Sequence, residues 1–163
     1  MNIPLSNEDV QDILSKYGKP CKFLLYEDIP KVKNINELLP RTLILYQLQE
    51  IGHFCCVFEN EEGLNFFDPL GYRPDIQLEL VRPDLVHSKN QDFTYLLCLF
   101  GKTRQNIIWS DTKLQKHKTS TCGHWCTIRM LYENLSDKEF TSCFRGIKDK
   151  DALIFKLFNS FKK

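Results

Sequence analysis

Polar residues from Gln115 to Thr121 run into Cys122, Gly123, His124, Trp125 and Cys126, where an apolar stretch with helical spacing begins. A cysteine at such a junction is equipped as a nucleophile. The start of a helix is the positive end of its macrodipole, which favours the thiolate over the thiol. The unpaired N–H groups of the first turn can receive the oxyanion that forms when a thiolate adds to a carbonyl. Gly123 allows another segment of backbone to approach that turn closely, and Gln115 offers a second donor from its side-chain amide. A Cys-Gly pair opening a helix is equally compatible with a buried structural thiol, since free cysteines pack as small hydrophobes.

A nucleophilic thiol needs a base and a group that orients the base. His53 to Phe58 and Leu64 to Asp68 read as the two arms of a hairpin around Asn60, Glu61, Glu62 and Gly63. With the turn centred between Asn60 and Glu61, His53 faces Asp68 directly, at a Cβ separation of about 5 Å that admits an imidazole–carboxylate hydrogen bond. Alternation puts His53, Cys55 and Val57 on one face with Leu64, Phe66 and Asp68. A bulge at Gly63 would slip this register by one residue. The non-catalytic reading of the same pair is a strand histidine bonded to a surface aspartate. The other histidines are poorer bases. His124 lies about 200° round the helix from Cys122, His117 is in a loop without an evident partner, and His87 carries no motif. Cys122, His124 and Cys126, with His53, Cys55 and Cys56, also hold zinc-ligand atoms. Their spacing differs from Cys-x2-Cys knuckles, however, and Cys55 and Cys56 point to opposite strand faces. No metal or cofactor is expected.

These groups need a frame. Ser6 can cap a helix whose buried stripe is Val10, Ile13 and Leu14 and which ends near Gly18, Lys19 and Pro20. Cys21–Tyr26 and Thr42–Leu48 read as strands separated by a Pro30–Pro40 loop, and Gln105–Ser110 as another. Ile76–Val86 and Phe93–Phe100 fit helix and strand equally. A long buried helix is expected from Cys122 to Leu135, followed by shorter ones over Asp137–Arg145 and Asp149–Phe161. This order predicts an α+β class: a central mixed or antiparallel sheet packed between an N-terminal helix and a helical part that carries the nucleophile. The 163 residues suit a single domain over 1–163. A net charge of +1 offers no global field for nucleic acid or membrane. The seven cysteines are odd in number and follow no export-signal pattern, so free thiols in a reducing compartment are expected. No apolar run approaches the roughly 20 residues that span a bilayer.

Three blocks together resemble the adenovirus maturation protease family, adenain: Gly52-His53-Phe54 to Phe58, then Phe66-Phe67-Asp68-Pro69-Leu70-Gly71-Tyr72, then Gln115 six residues before Cys122-Gly123 with Cys126 beyond. That family is grouped with the ubiquitin-like-protein proteases, which share the order His, acid, Gln, Cys. The six-residue spacing is similar to adenain; five is usual in the other branch. The resemblance covers most of residues 6–135. It implies a cysteine endopeptidase with Cys122 as nucleophile, His53 as base, Asp68 as orienting acid and Gln115 as oxyanion donor. It further implies a viral maturation enzyme that cleaves capsid and core precursor proteins at Gly-containing sites. The virion and the infected cell, in cytoplasm or nucleus, would be its place, without secretion. A ubiquitin-like-protein peptidase is the alternative. Phe54 replaces the family's usual Trp, keeping a hydrophobic wall without an indole donor, and Asp68 replaces Glu. The near-zero charge, and Arg104 where the family's peptide-tethering cysteine aligns, mean that activation by DNA or a disulfide-linked peptide is not carried over.

Overall fold

The computed structural model describes residues 3–48, 51–80 and 94–163. Helix α1 spans Asn7–Lys16 and is capped as its sequence dictates: Ser6 accepts from the Asp9 N–H, and Asp9 returns a bond to the Ser6 N–H. Val10, Ile13 and Leu14 form its buried face. Strand β1 follows over Lys22–Leu25. The predicted Pro30–Pro40 loop carries more structure than expected, because 3-10 turns at Tyr26–Lys31 and Ile35–Leu38 bury Ile29, Ile35 and Leu38. Asn34 and Glu37 form a reciprocal cap on the second turn.

Strands β2 (Arg41–Leu48), β3 (Ile51–Asn60), β4 (Gly63–Phe67) and β5 (Ile107–Trp109) complete a five-stranded sheet in the order β1-β2-β3-β4-β5. The outer pairs, β1–β2 and β4–β5, are parallel, and the inner two pairs are antiparallel. The fold is therefore the mixed α+β type expected. The segments that fitted helix and strand equally resolve as a 3-10 turn at Ile76–Leu80 and helix α2 at Tyr95–Gly101. The remainder of the Ile76–Val86 segment, Phe93 and His87 lie outside the described residues.

Helix α3 spans Cys122–Leu131, α4 Asp137–Ser142 and α5 Lys150–Phe161. Each face of the sheet supports its own core. One holds Phe54, Cys56 and Phe58 of β3 against Leu14 of α1, Trp125, Cys126 and Met130 of α3, and Phe158 of α5. The other holds Cys55, Val57, Leu64 and Phe66 against Tyr26, Leu96 and Phe100. Helix α1 thus shares the face of α3, and α2 with the 3-10 turns supplies the opposite layer.

Helix α3 is shorter than the sequence suggested, ending at Leu131 where Leu135 was expected. Arg129 fastens the chain just beyond the stop. Its buried guanidinium donates to the carbonyls of Tyr132 and Leu135 at 3.0 Å each and stacks between Phe58 and Phe140. These bonds satisfy carbonyls just beyond the helix end, and the Tyr132 carbonyl also accepts from the Leu135 N–H at 3.1 Å.

Candidate active site

The hairpin differs from its predicted register. Asn60 pairs with Gly63 and Cys56 with Phe67, so the pairing is two residues off the arrangement that set His53 opposite Asp68. The loop consists of Glu61 and Glu62, fastened by the Asn60 side chain accepting from the Glu62 N–H. Gly63, at φ +129°, approaches the Asn106 carbonyl so closely that a Cβ there would lie 2.5 Å from it. A shift of two residues preserves side-chain parity, so the face assignment survives. Asp68, just beyond β4, falls diagonally across from His53, a separation that long side chains bridge. Nε2 of His53 and Oδ1 of Asp68 are 2.8 Å apart.

Asp68 is fully buried and well supplied with donors. Oδ1 also accepts from the Leu70 N–H at 2.8 Å, and Oδ2 from Nε2 of Gln77 at 2.7 Å. The Gly71 N–H returns to the Asp68 carbonyl at 2.8 Å, closing a turn through Pro69 in which Gly71 has φ +78°. The outside of this turn receives the next loop, with the N–H groups of Leu114 and Gln115 both donating to the Pro69 carbonyl at 2.9 Å. One short segment therefore orients the histidine with its side chain and holds the Gln115 loop with its backbone.

His53 is 5% exposed. Burial alone depresses an imidazole pKa, but hydrogen bonds to Asp68 and Cys122 and the negative charge of both groups raise it to about 10. Asp68 occupies Nε2, and Nδ1 is the other ring nitrogen. Cys122 is the first residue of α3, and no side chain caps the helix. A Cβ on Gly123 would lie 3.2 Å from Leu5 Cβ and 3.4 Å from Phe54 Cδ2. The close neighbours at Gly123 are thus side chains, where backbone was expected. Phe54, expected as a substrate-facing wall, lies in the core beneath Gly123. Cys126, one turn on, is buried, and its Sγ lies 3.5 Å from the Phe54 carbonyl.

Gln115 is 3% exposed, and its Nε2 donates to the Thr119 carbonyl at 2.8 Å. That bond uses one of the two amide hydrogens. The basic residues around it form a local group: Lys113, Lys116, His117, Lys148 and Lys150 line a pocket that Gln115 also borders. His117 is exposed there. His124 turns away from Cys122, packing against Phe155 and Phe158.

Ligand atoms of His53, Cys55 and Asp68 lie within 4.8 Å of one another, a grouping that a cation could exploit. The chemistry of the donor set argues against this. His53 is already bonded to Asp68, the Asp68 oxygens accept from Leu70 and Gln77, and burial raises the Cys55 pKa and keeps it a thiol. Zinc would require the thiolate and the same lone pairs. The wider set considered for zinc disperses, with Cys55 in one core and Cys56 and Cys126 in the other. All seven cysteines are free thiols; Cys98 and Cys143 are exposed.

Two residues of the cluster escaped the sequence reading. Gln77 reaches Asp68 from the 3-10 turn at Ile76–Leu80, and Asp151 of α5 reaches the loop before Cys122. Neither stands at a motif spacing. Only tertiary packing brings them in.

The chain matches no protein-family profile. It is 29% identical over 145 residues to a protein of the Sputnik virophage named "Uncharacterized protein V9", a similarity covering 85% of this chain and 81% of that one. The similarity supports association with a virus as a coarse reading. Among the described residues, no helix is long and apolar enough to cross a membrane.

Proposed function

We propose that the chain is a cysteine endopeptidase, with Cys122 as nucleophile, His53 as base, Asp68 as orienting acid and Gln115 as oxyanion donor. The observation that carries this reading is the 2.8 Å bond of His53 to the buried, thrice-bonded Asp68 carboxylate, on a ring whose pKa Cys122, at an uncapped helix start, also helps to raise. A histidine that keeps its proton to about pH 10 is suited to form an ion pair with a nucleophilic thiolate during the reaction.

In the reaction, the thiolate sulfur forms a bond to the scissile carbonyl carbon, whose π electrons move onto oxygen. The first-turn N–H groups of α3 and the second Gln115 amide hydrogen stabilise that oxyanion. As the C–N bond breaks, Nδ1 of His53 delivers its proton to the leaving nitrogen, leaving a thioester on Cys122. Water then adds to the thioester as His53 takes its proton. Collapse expels the thiolate, releases a carboxylic acid and restores the ion pair. Throughout, Asp68 fixes the ring through Nε2.

The substrates proposed are viral capsid and core precursor proteins cut at Gly-containing bonds, in the virion or the infected cell. The resemblance of the three motif blocks and the virophage relative both support a viral setting. Neither DNA nor a peptide activator is part of the proposal, because basic and acidic residues nearly balance, 22 against 21, and Arg104 stands where the tethering cysteine aligns.

The test compares wild type and Cys122→Ala on a fluorogenic capsid-precursor peptide containing Gly-Gly and on a probe ending in a ubiquitin-like tail. Hydrolysis of the first, lost in the variant, is expected. Preference for the second would move the reading to a ubiquitin-like-protein peptidase. Equal turnover by Cys122→Ala and wild type would dismiss both.

A further inference from the structure

Asp151 lies in the first turn of α5 and is 6% exposed. Its carboxylate faces three uncharged donors from the polar loop and the start of α3. Oδ2 accepts from the backbone N–H of Lys116 at 3.0 Å. Oδ1 accepts from the indole N–H of Trp125 at 3.0 Å and from the hydroxyl of Thr121. The positive end of α5 helps to hold the negative charge there.

Thr121 is the residue immediately before Cys122, the N-cap position of α3. A threonine in that place ordinarily turns its hydroxyl inward to accept from the second or third helical N–H. Ser6 does so at α1 and Ser136 at α4, each accepting from the third N–H of its helix. Thr121 does not cap α3: its hydroxyl donates to Asp151 instead. The first-turn N–H groups consequently keep their hydrogens for an incoming group. The same carboxylate fixes the Lys116 N–H, next to Gln115, whose amide is the side-chain donor of the site.

We infer that Asp151 is a positioning residue for acyl transfer: through Thr121 it ties the start of α3 to α5, and through the Lys116 N–H it sets the Gln115 loop beside it, fixing the donors in one arrangement. The inference rests on the reading of Cys122 as a nucleophile. It adds that the oxyanion donors are organised from behind by a helix that contributes no reacting group.

Asparagine cannot replace this carboxylate. Its single oxygen can serve one side of the cluster, and its –NH2 group then faces either the Lys116 N–H or the Trp125 N–H, donor against donor. Asp151→Asn therefore releases Thr121 or Lys116 and misplaces a donor. Displacements of this size cost about 10²-fold in rate when they fall on the reacting geometry.

The experiment measures two reactions of Cys122 in wild type, Asp151→Asn and Thr121→Val. Hydrolysis of the Gly-Gly peptide requires the oxyanion donors. Alkylation by iodoacetamide displaces iodide at saturated carbon, forms no oxyanion and reads only the nucleophile. For Asp151→Asn, kcat should fall about 10²-fold with KM little changed, while alkylation at Cys122 stays near the wild-type rate. Thr121→Val, which removes only the hydroxyl, should lower kcat in the same selective way by about tenfold. It also carries the test if Asp151→Asn does not fold. The two effects should be non-additive in the double variant, because both remove the Thr121–Asp151 bond.

Unchanged kcat in the folded variants, or equal losses in hydrolysis and alkylation, would overturn the inference. Failure of the protease reading is seen separately, as wild-type protein that alkylates slowly and hydrolyses nothing.

Discussion

Two histidines flank the start of α3, buried to nearly the same degree, yet their protons are held very differently. His53 is 5% exposed and His124 1%. Burial pulls both pKa values down from 6.5. For His124, burial and the positive charge of Lys162 prevail, bringing it to about 4, and Nδ1 has no partner among the described residues. For His53, the bonds and charges of Asp68 and Cys122 overcome the same penalty and raise it to about 10. Desolvation is thus the common background, and an aimed carboxylate decides whether a buried imidazole is an inert ring or a charged partner for a thiol. Asp68 is bonded to the His53 ring, whereas the Asp9 and Asp151 carboxylates act on His124 through charge alone.

The contrast is broken most severely by removing the working member. His53→Ala should lower peptide turnover about 10⁵-fold, whereas His124→Leu should retain turnover. Steady-state kinetics on the two purified variants reads the difference. Thermal melting should find His124→Leu no less stable than wild type, since it removes a buried nitrogen that lacks a partner.

Asp68→Asn should come next. It keeps the shape but removes the charge that holds the His53 proton, leaving burial to act as it does on His124. Turnover should fall roughly a hundredfold less than on loss of His53, and the His53 pKa, followed by NMR titration, should drop from about 10. A titration that stayed put would mean that Cys122 alone sustains the imidazolium. Gln115→Ala leaves both histidines untouched and should cost about 10²-fold in kcat with little change in KM. No loss would assign the oxyanion to backbone donors alone.

The smallest expected effect is on stability against pH, where the two rings act with opposite sign. His53, with its folded pKa above the unfolded 6.5, contributes stability that is fully present below pH 6.5 and lost as pH rises towards 10. His124, with its folded pKa below 6.5, contributes stability present above pH 6.5 and lost as pH falls towards 4. Urea midpoints across this range should therefore decline on both sides for wild type. His124→Leu should flatten the acid side and His53→Ala the alkaline side.

How legible this was depended on the range of the interaction. Ser6 and its partner Asp9 are three residues apart, and that cap was readable directly. The faces of β3 and β4 were readable because alternation survives a shift of two residues, although the register was not: it turned on which residues formed the loop, and Gly63 belongs to the strand because its backbone meets Asn106. The turn after α3 is fastened by the Arg129 guanidinium on the carbonyls of Tyr132 and Leu135, contacts that no local pattern announces. The four motif residues announced themselves by type and order; His53 and Asp68 are bonded, and Cys122 is among the groups that raise the His53 pKa. Gln115 lies in the adjoining loop with its amide bonded to Thr119. Gln77 and Asp151 support the cluster from elements with no local signature, and their carboxylate and amide partners are chosen by packing.

The most direct test of the central claim is mass-spectrometric mapping of iodoacetamide alkylation at neutral pH, run alongside peptide hydrolysis. Cys98 and Cys143 are exposed and should react as ordinary thiols, while Cys55, Cys56 and Cys126 are buried and should be protected. Although Cys122 is only 9% exposed, it should be modified faster than any of them, with one label abolishing hydrolysis and His53→Ala removing that advantage. Modification confined to Cys98 and Cys143, with hydrolysis undiminished, would contradict the account.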